Sequence, residues 1–139
     1  MRKILLILSS FTLYLNADLK VSLDQELKTL MPKVIEWRHD IHEHPELGNR
    51  EFRTSKKVAE HLVSLGVEVE TGIAYTGVVG LIRGGKPGPT IALRADMDAL
   101  PVTEQTGLPF ASKQRTKYLG QDVGAVSYTH LTLPTSNDV

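Results

Sequence analysis

Asp96 and Asp98 close an apolar run, Ile91-Ala92-Leu93-Arg94-Ala95, and Ala99-Leu100-Pro101 follows them. In an ideal strand residues two apart point the same way, and a loop leaving the strand could also bring both acids near one cleft. Ligands of α/β proteins commonly bind at the C-terminal edge of a parallel sheet, which is where strand-end acids stand. Such acids can ligate a metal, or accept the second ring proton of a ligating histidine and so fix its orientation. They can equally cap the next turn or pair with Arg94.

A second chemical cluster is Arg38-His39-Asp40-Ile41-His42-Glu43-His44-Pro45-Glu46-Leu47-Gly48. Three histidines among acids invite a metal reading, but His39 and His42 sit three apart near a helix end and do not form His-Glu-x-x-His. Pro45 should stop the helix at His44. Solvation of the helix end, compensation of its dipole and local hydrogen bonds are the competing account. His61 falls on a second helical pattern as a surface or half-buried residue. The glycines from Gly72 to Gly88 match no phosphate-binding spacing and read as turns. Ser55 and Ser112 have no nucleophile-elbow sequence around them.

Composition narrows the classes. The chain has 139 residues, a length suited to one domain with a core. Its 41% hydrophobic and 23% charged content lies well outside the disordered regime. Lys+Arg and Asp+Glu both number 16, so no net charge argues for nucleic acid or an anionic membrane. Cysteine is absent, which excludes disulfides, thiolate ligands and a cysteine nucleophile from this chain.

The elements that must position these groups follow from periodicity. Met1-Arg2-Lys3, the apolar residues 4–8 and 11–15, and Ala17 before Asp18 fit a signal peptide cut after Ala17. The apolar stretch is too short for a stable membrane span. The alternative is a first strand with Ile4, Leu6 and Leu8 on one face. Export would make the protein secreted or periplasmic, and otherwise it is cytoplasmic. Ser22 and Gln25 resemble a capping box, so a helix is expected to begin there, with Leu23, Leu27, Leu30, Val34 and Ile41 at helical spacing. Pro32 should kink or divide it. A second helix runs from Phe52 to Leu65, with Asn49 as cap and Gly66 as stop. Val67 to Glu70 and Val78 to Ile82 read as strands around a Thr76-Gly77 turn, and Thr90 to Leu93 as the next strand. Residues 110–120 read as a polar loop. Two helices followed by short strands point to an α/β layer with one sheet face covered.

Residues from about 31 to 124 resemble the N-terminal part of the M20 metallopeptidase family, in its amidohydrolase branch of hippurate hydrolases and N-acyl-amino-acid amidohydrolases. The matching segments are residues 37–48, Glu51-Phe52-Arg53-Thr54-Ser55, Thr76-Gly77-Val78-Val79-Gly80, Leu93-Arg94-Ala95-Asp96-Met97-Asp98-Ala99-Leu100-Pro101 and Glu104-Gln105-Thr106-Gly107-Leu108-Pro109. The resemblance implies the N-terminal portion of an M20-type α/β catalytic domain, helices packed on a partial mixed sheet, without the inserted domain through which such enzymes often dimerise. It implies two divalent metals (Zn, Mn or Co) in the full-length enzyme, a homodimer, and a small N-acyl amino acid or peptide-like substrate whose amide is cleaved by a metal-bridged water. Asp98 matches the family's strand-end aspartate, which orients a metal-binding histidine, and is the catalytic candidate. Asp96 stands where other branches carry a histidine.

The family pattern would continue after Gly124 into His-Ala-Cys-Gly-His-Asp, but the chain reads Ala125-Val126-Ser127-Tyr128-Thr129-His130. His130 is not a match. No residue of this chain is therefore assigned as a metal ligand, and the chain itself is expected to bind no metal and to be inactive. The domain reading is a signal peptide at 1–17, the partial catalytic domain at 18–124 and an unrelated tail at 125–139, resembling translated adapter sequence. The alternative is a truncated remnant or a binding protein without catalysis. A sheet left open at one edge would expose apolar faces and favour aggregation.

Overall fold

The computed structural model describes residues 2–127, with side chains described from residue 19 onward. The remainder of the expected tail, with His130, lies outside the described residues. The chain divides into two units, Met1–Arg38 and His39–Val139.

Helix α1 spans Arg2–Glu43. The strand alternative for Ile4, Leu6 and Leu8 is thus overturned, and Ser22-Gln25 lies inside the helix instead of opening it. Lys20 instead pairs with Asp24 one turn on, at 2.8 Å. Pro32 does not divide α1: helical turns continue on both sides of its missing donor. The first unit is this helix as far as Arg38, and its apolar residues Leu23, Leu27 and Leu30 are exposed. No helix among the described residues is long and apolar enough to cross a membrane.

In the second unit α1 ends at Glu43, short of Pro45, as the proline requires. Helix α2, Phe52–Ser64, follows the expected periodicity, and Gly66 closes it at φ 76°, a conformation that favours glycine. The expected cap is displaced. Asn49 stands two residues too early, at φ 61°, and Glu51 occupies the cap position without capping through its side chain. Glu46 does the capping from outside: its carboxylate accepts the Arg53 amide at 3.0 Å, and the Thr54 amide and hydroxyl at 2.8 and 2.9 Å. A carboxylate there also favours the positive end of the helix dipole.

Strands β1 (Glu68–Ile73) and β2 (Gly77–Leu81) form the expected antiparallel hairpin, with Ala74 and Tyr75 at positive φ in its turn. Leu62 of α2 reaches the hairpin at Gly80, where an added Cβ would sit 3.2 Å from its Cδ1. The strand expected at Thr90 to Leu93 is not formed. Residues 82–98 carry no regular element, and Ile91 and Leu93 are 82% and 96% exposed. A strand buried on both faces needs neighbours to take its backbone bonds, and the described residues supply none there.

The pairing that does form lies further on. Strand β3 (Ala99–Leu100) pairs antiparallel with β6 (Val126–Ser127), and Leu47 makes a parallel bridge to Ala99. Where a polar loop was expected, β4 (Arg115–Tyr118) and β5 (Gln121–Gly124) form a second hairpin. Its two-residue turn, Leu119 and Gly120 at φ 51° and 80°, matches the twist of the flanking strands. The result is an α/β arrangement of helices with a partial, unclosed mixed sheet, as the family resemblance implied, and Asp96 and Asp98 stand on the irregular segment before β3 and not at the end of a formed strand. The apolar centre is small: among the described residues Leu47, Ala99 and Ala125 are the buried apolar side chains.

Candidate functional site

The end of α1 supplies the densest polar contacts. His42 is 1% exposed, and its Nε2 lies 2.9 Å from both carboxylate oxygens of Glu104, whose side chain is 2% exposed. Glu104 also accepts the Ser112 amide at 2.6 Å and the Thr106 hydroxyl, so one carboxylate gathers the loop between β3 and β4 against the helix. Burial alone would raise the Glu104 pKa, but the donors from Thr106, His42 and Ser112 and the imidazole's charge outweigh it and hold the carboxyl below its ordinary value. Phe110 seals the pair, stacked on His39 at 3.8 Å and edge-on to His42 at 5.7 Å.

The other residues of the cluster face different tasks. His44 Nδ1 lies 3.0 Å from the Asp40 carbonyl, the local helix-end bonding that competed with a metal role. Asp40 binds Arg53 at 2.6 Å and also Lys57, tying α1 to α2. Burial pushes the Asp40 carboxyl up, but hydrogen bonds from Lys57 and Arg53 and their charges prevail and lower it. A depressed folded-state pKa contributes stability above the ordinary aspartate value, lost as pH falls through the lowered one. Asp40→Asn should therefore cost only about 1 kcal/mol at neutral pH, because the pair is partly exposed, and almost nothing at a pH below the lowered value. Urea titrations at the two pH values check this.

Glu51, which the sequence marks only as part of the family resemblance, is buried and accepts the Thr76 hydroxyl, joining the start of α2 to the turn before β2.

The strand-end acids are not brought onto a common ligand. Asp96 pairs with Arg94 at 2.8 Å in solvent, one of the two structural alternatives for this residue. Asp98 is exposed immediately before β3 and lies across from the Gly48 turn, its Oδ2 3.8 Å from where a Cβ on Gly48 would be. The Glu46 carbonyl accepts the Ala99 amide at 2.8 Å, so the Pro45 to Gly48 turn holds the backbone next to Asp98.

Two divalent ions do not fit the described residues. His42 is committed to Glu104, His39 to Phe110 and Asp96 to Arg94, and no group of three or more His, Asp or Glu among the described residues converges on one point. A polar hollow of about 200 Å³ lies beside Glu46, Arg50 and Arg115, but Arg50 donates to the Lys117 carbonyl and Arg115 pairs with Asp122.

Comparison with known proteins places this arrangement. No family model matches the chain. It is 56% identical over 97 residues to thermostable carboxypeptidase 1 of Saccharolobus solfataricus, covering 69% of this chain and 25% of that protein. It is 47% identical over 94 residues to the hippurate hydrolase of Campylobacter jejuni, covering 68% and 24%. The crystal structure of the YXEP protein of Bacillus subtilis, a dinuclear metal-binding peptidase from the M20 family, superposes with a TM-score of 0.61 at 42% identity, covering 71% of this chain and 26% of that one. By this partial-length homology the chain belongs to the M20 metallopeptidase and amidohydrolase superfamily. It spans about a quarter of the length of the curated relatives it matches.

Glu104 was visible in the sequence as part of the family resemblance, but its role was not. Its partner lies 62 residues away, and no local pattern announces a pair at that separation.

Proposed function

We propose that this chain carries the N-terminal part of a metal-dependent amidohydrolase that releases an amino acid from an N-acyl conjugate of the hippurate type. The observation that carries this reading is the 47% identity to a hippurate hydrolase over 94 residues. In that role Asp98 holds and orients a neighbouring catalytic group, and the metal ligands come from residues other than those described. The full-length enzyme would be a homodimer using two divalent ions, Zn, Mn or Co. Residues 1–17 would direct export, a proposal that the N-terminal sequence of the mature protein tests: a start at Met1 or Arg2 sinks it.

On its own the chain should not turn over, because a charge-orienting acid cannot replace the groups that polarise the amide. Purified chain supplied with Zn, Mn or Co is expected to release no glycine from hippurate, and release at about one per second or faster would refute this. Long-read sequencing of the source locus through the codons for Gly124 to Val139 tests the larger reading. A frame running on into His-Ala-Cys-Gly-His-Asp supports the amidohydrolase. A genuine stop favours a non-catalytic remnant or binding protein.

A further inference from the structure

We propose that His42 and Glu104 are positioning residues for Asp98, their buried pair closing a ring of contacts that fixes the backbone carrying its carboxylate. The ring can be followed through the molecule. From His42 the chain runs to Glu46 and Leu47, which hold Ala99 by the 2.8 Å amide bond and the parallel bridge. From Ala99 it runs through Leu100, whose carbonyl accepts the Val102 amide at 2.9 Å, to Glu104, which returns to His42 at 2.9 Å. Asp98 stands at the mouth of this ring, next to Ala99.

The ring matters because Asp98 has little else to hold it. Residues 82–98 on its upstream side form no regular element, and β3 pairs with β6 through two residues only, Ala99 with Ser127 and Leu100 with Val126. A short ladder of this kind opens locally at small cost unless buried contacts pin it. The pin is the His42–Glu104 pair, with side chains 1% and 2% exposed. This inference rests on the reading that Asp98 orients a catalytic group, but the ring itself does not depend on that reading.

The surrounding titratable groups are accounted for by element. On α1, His39 stacks on Phe110 and Asp40 pairs with Arg53 and Lys57 of α2, while His44, just past the helix end, lies on the Asp40 carbonyl. Glu46 is engaged with the first turn of α2. Thr106 and Ser112 of the loop donate to Glu104 without carrying charge. Since the Glu104 carboxyl is held below its ordinary value, the ring is closed at neutral pH and opens as pH falls through that lowered value.

Amide hydrogen exchange on the full chain tests the proposal, with Asp98→Asn as the background so that titration of Asp98 itself cannot contribute. The Ala99 amide is expected to lose about tenfold in protection as Glu104 is protonated, while amides within α2 keep theirs. Glu104→Gln should give the low Ala99 protection at every pH, and the control Asp40→Asn should leave the Ala99 profile unchanged. The proposal is overturned if Ala99 protection does not vary with pH, if it is absent throughout, if it falls in step with the α2 amides, or if Glu104→Gln behaves as the parent. An amidohydrolase reading that failed at the source locus would leave this exchange profile as it is, so the two failures are distinguishable.

Discussion

His42→Ala should lower the unfolding free energy by about 3 kcal/mol, because it leaves a buried carboxylate without its imidazole partner. The carboxylate of Glu104 is 2% exposed, so water cannot take the place of the lost donor without opening the loop. Ser112 and Thr106 still donate to it, which places the loss at the lower end of the range for a broken buried pair. Glu104→Ala should cost a similar amount by the opposite route, stranding the Ser112 amide and the His42 ring. The two effects should not add, since each substitution removes the same pair, and the double variant should recover about 1 kcal/mol or more of their sum. Urea unfolding followed by circular dichroism gives all three values. A loss below about 0.5 kcal/mol for His42→Ala, the level of an ordinary surface substitution, would show that the pair contributes little.

Gly124→Ala should destabilise the second unit by about 2 kcal/mol through overpacking. An added Cβ would lie 2.6 Å from Thr103 Cα, and 2.8 Å from both Thr103 Oγ1 and the Val102 carbonyl oxygen. Two of these three atoms are backbone, so relief requires moving the segment that links β3 to Glu104. The substitution should therefore also weaken the His42–Glu104 contact, which it would reach through the Val102 to Glu104 segment. Gly85→Ala is the control: nothing lies within 4 Å of the added atom there, and its effect should stay within about 0.5 kcal/mol. Equal midpoints for the two variants in thermal unfolding would refute the packing argument.

These predictions fall on residues that the sequence indicates unevenly. Helix α2 and the β1–β2 hairpin were legible because each is encoded by its own neighbours, through apolar spacing and the Gly66 stop. The Thr90 to Leu93 strand was misread because its apolar run specifies burial but cannot supply the partners that burial needs. The β4–β5 hairpin was missed for the opposite reason: its residues are polar and mostly exposed, so alternation left no mark. Asn49 was a sound capping residue by type, but a glutamate three positions earlier, folded back by the Pro45 turn, reached the helix first.

What the sequence by itself determined is the superfamily, the absence of cysteine from this chain, and the elements whose energetics are local. Only the tertiary structure decided that His42 meets Glu104, that Glu46 caps α2 while its carbonyl holds Ala99, and that Asp96 pairs with Arg94 in solvent. The physical reason is range. Periodicity and turn chemistry act over a few residues, whereas a buried pair is selected by which donors and acceptors the folded backbone brings together, after water has been excluded from both.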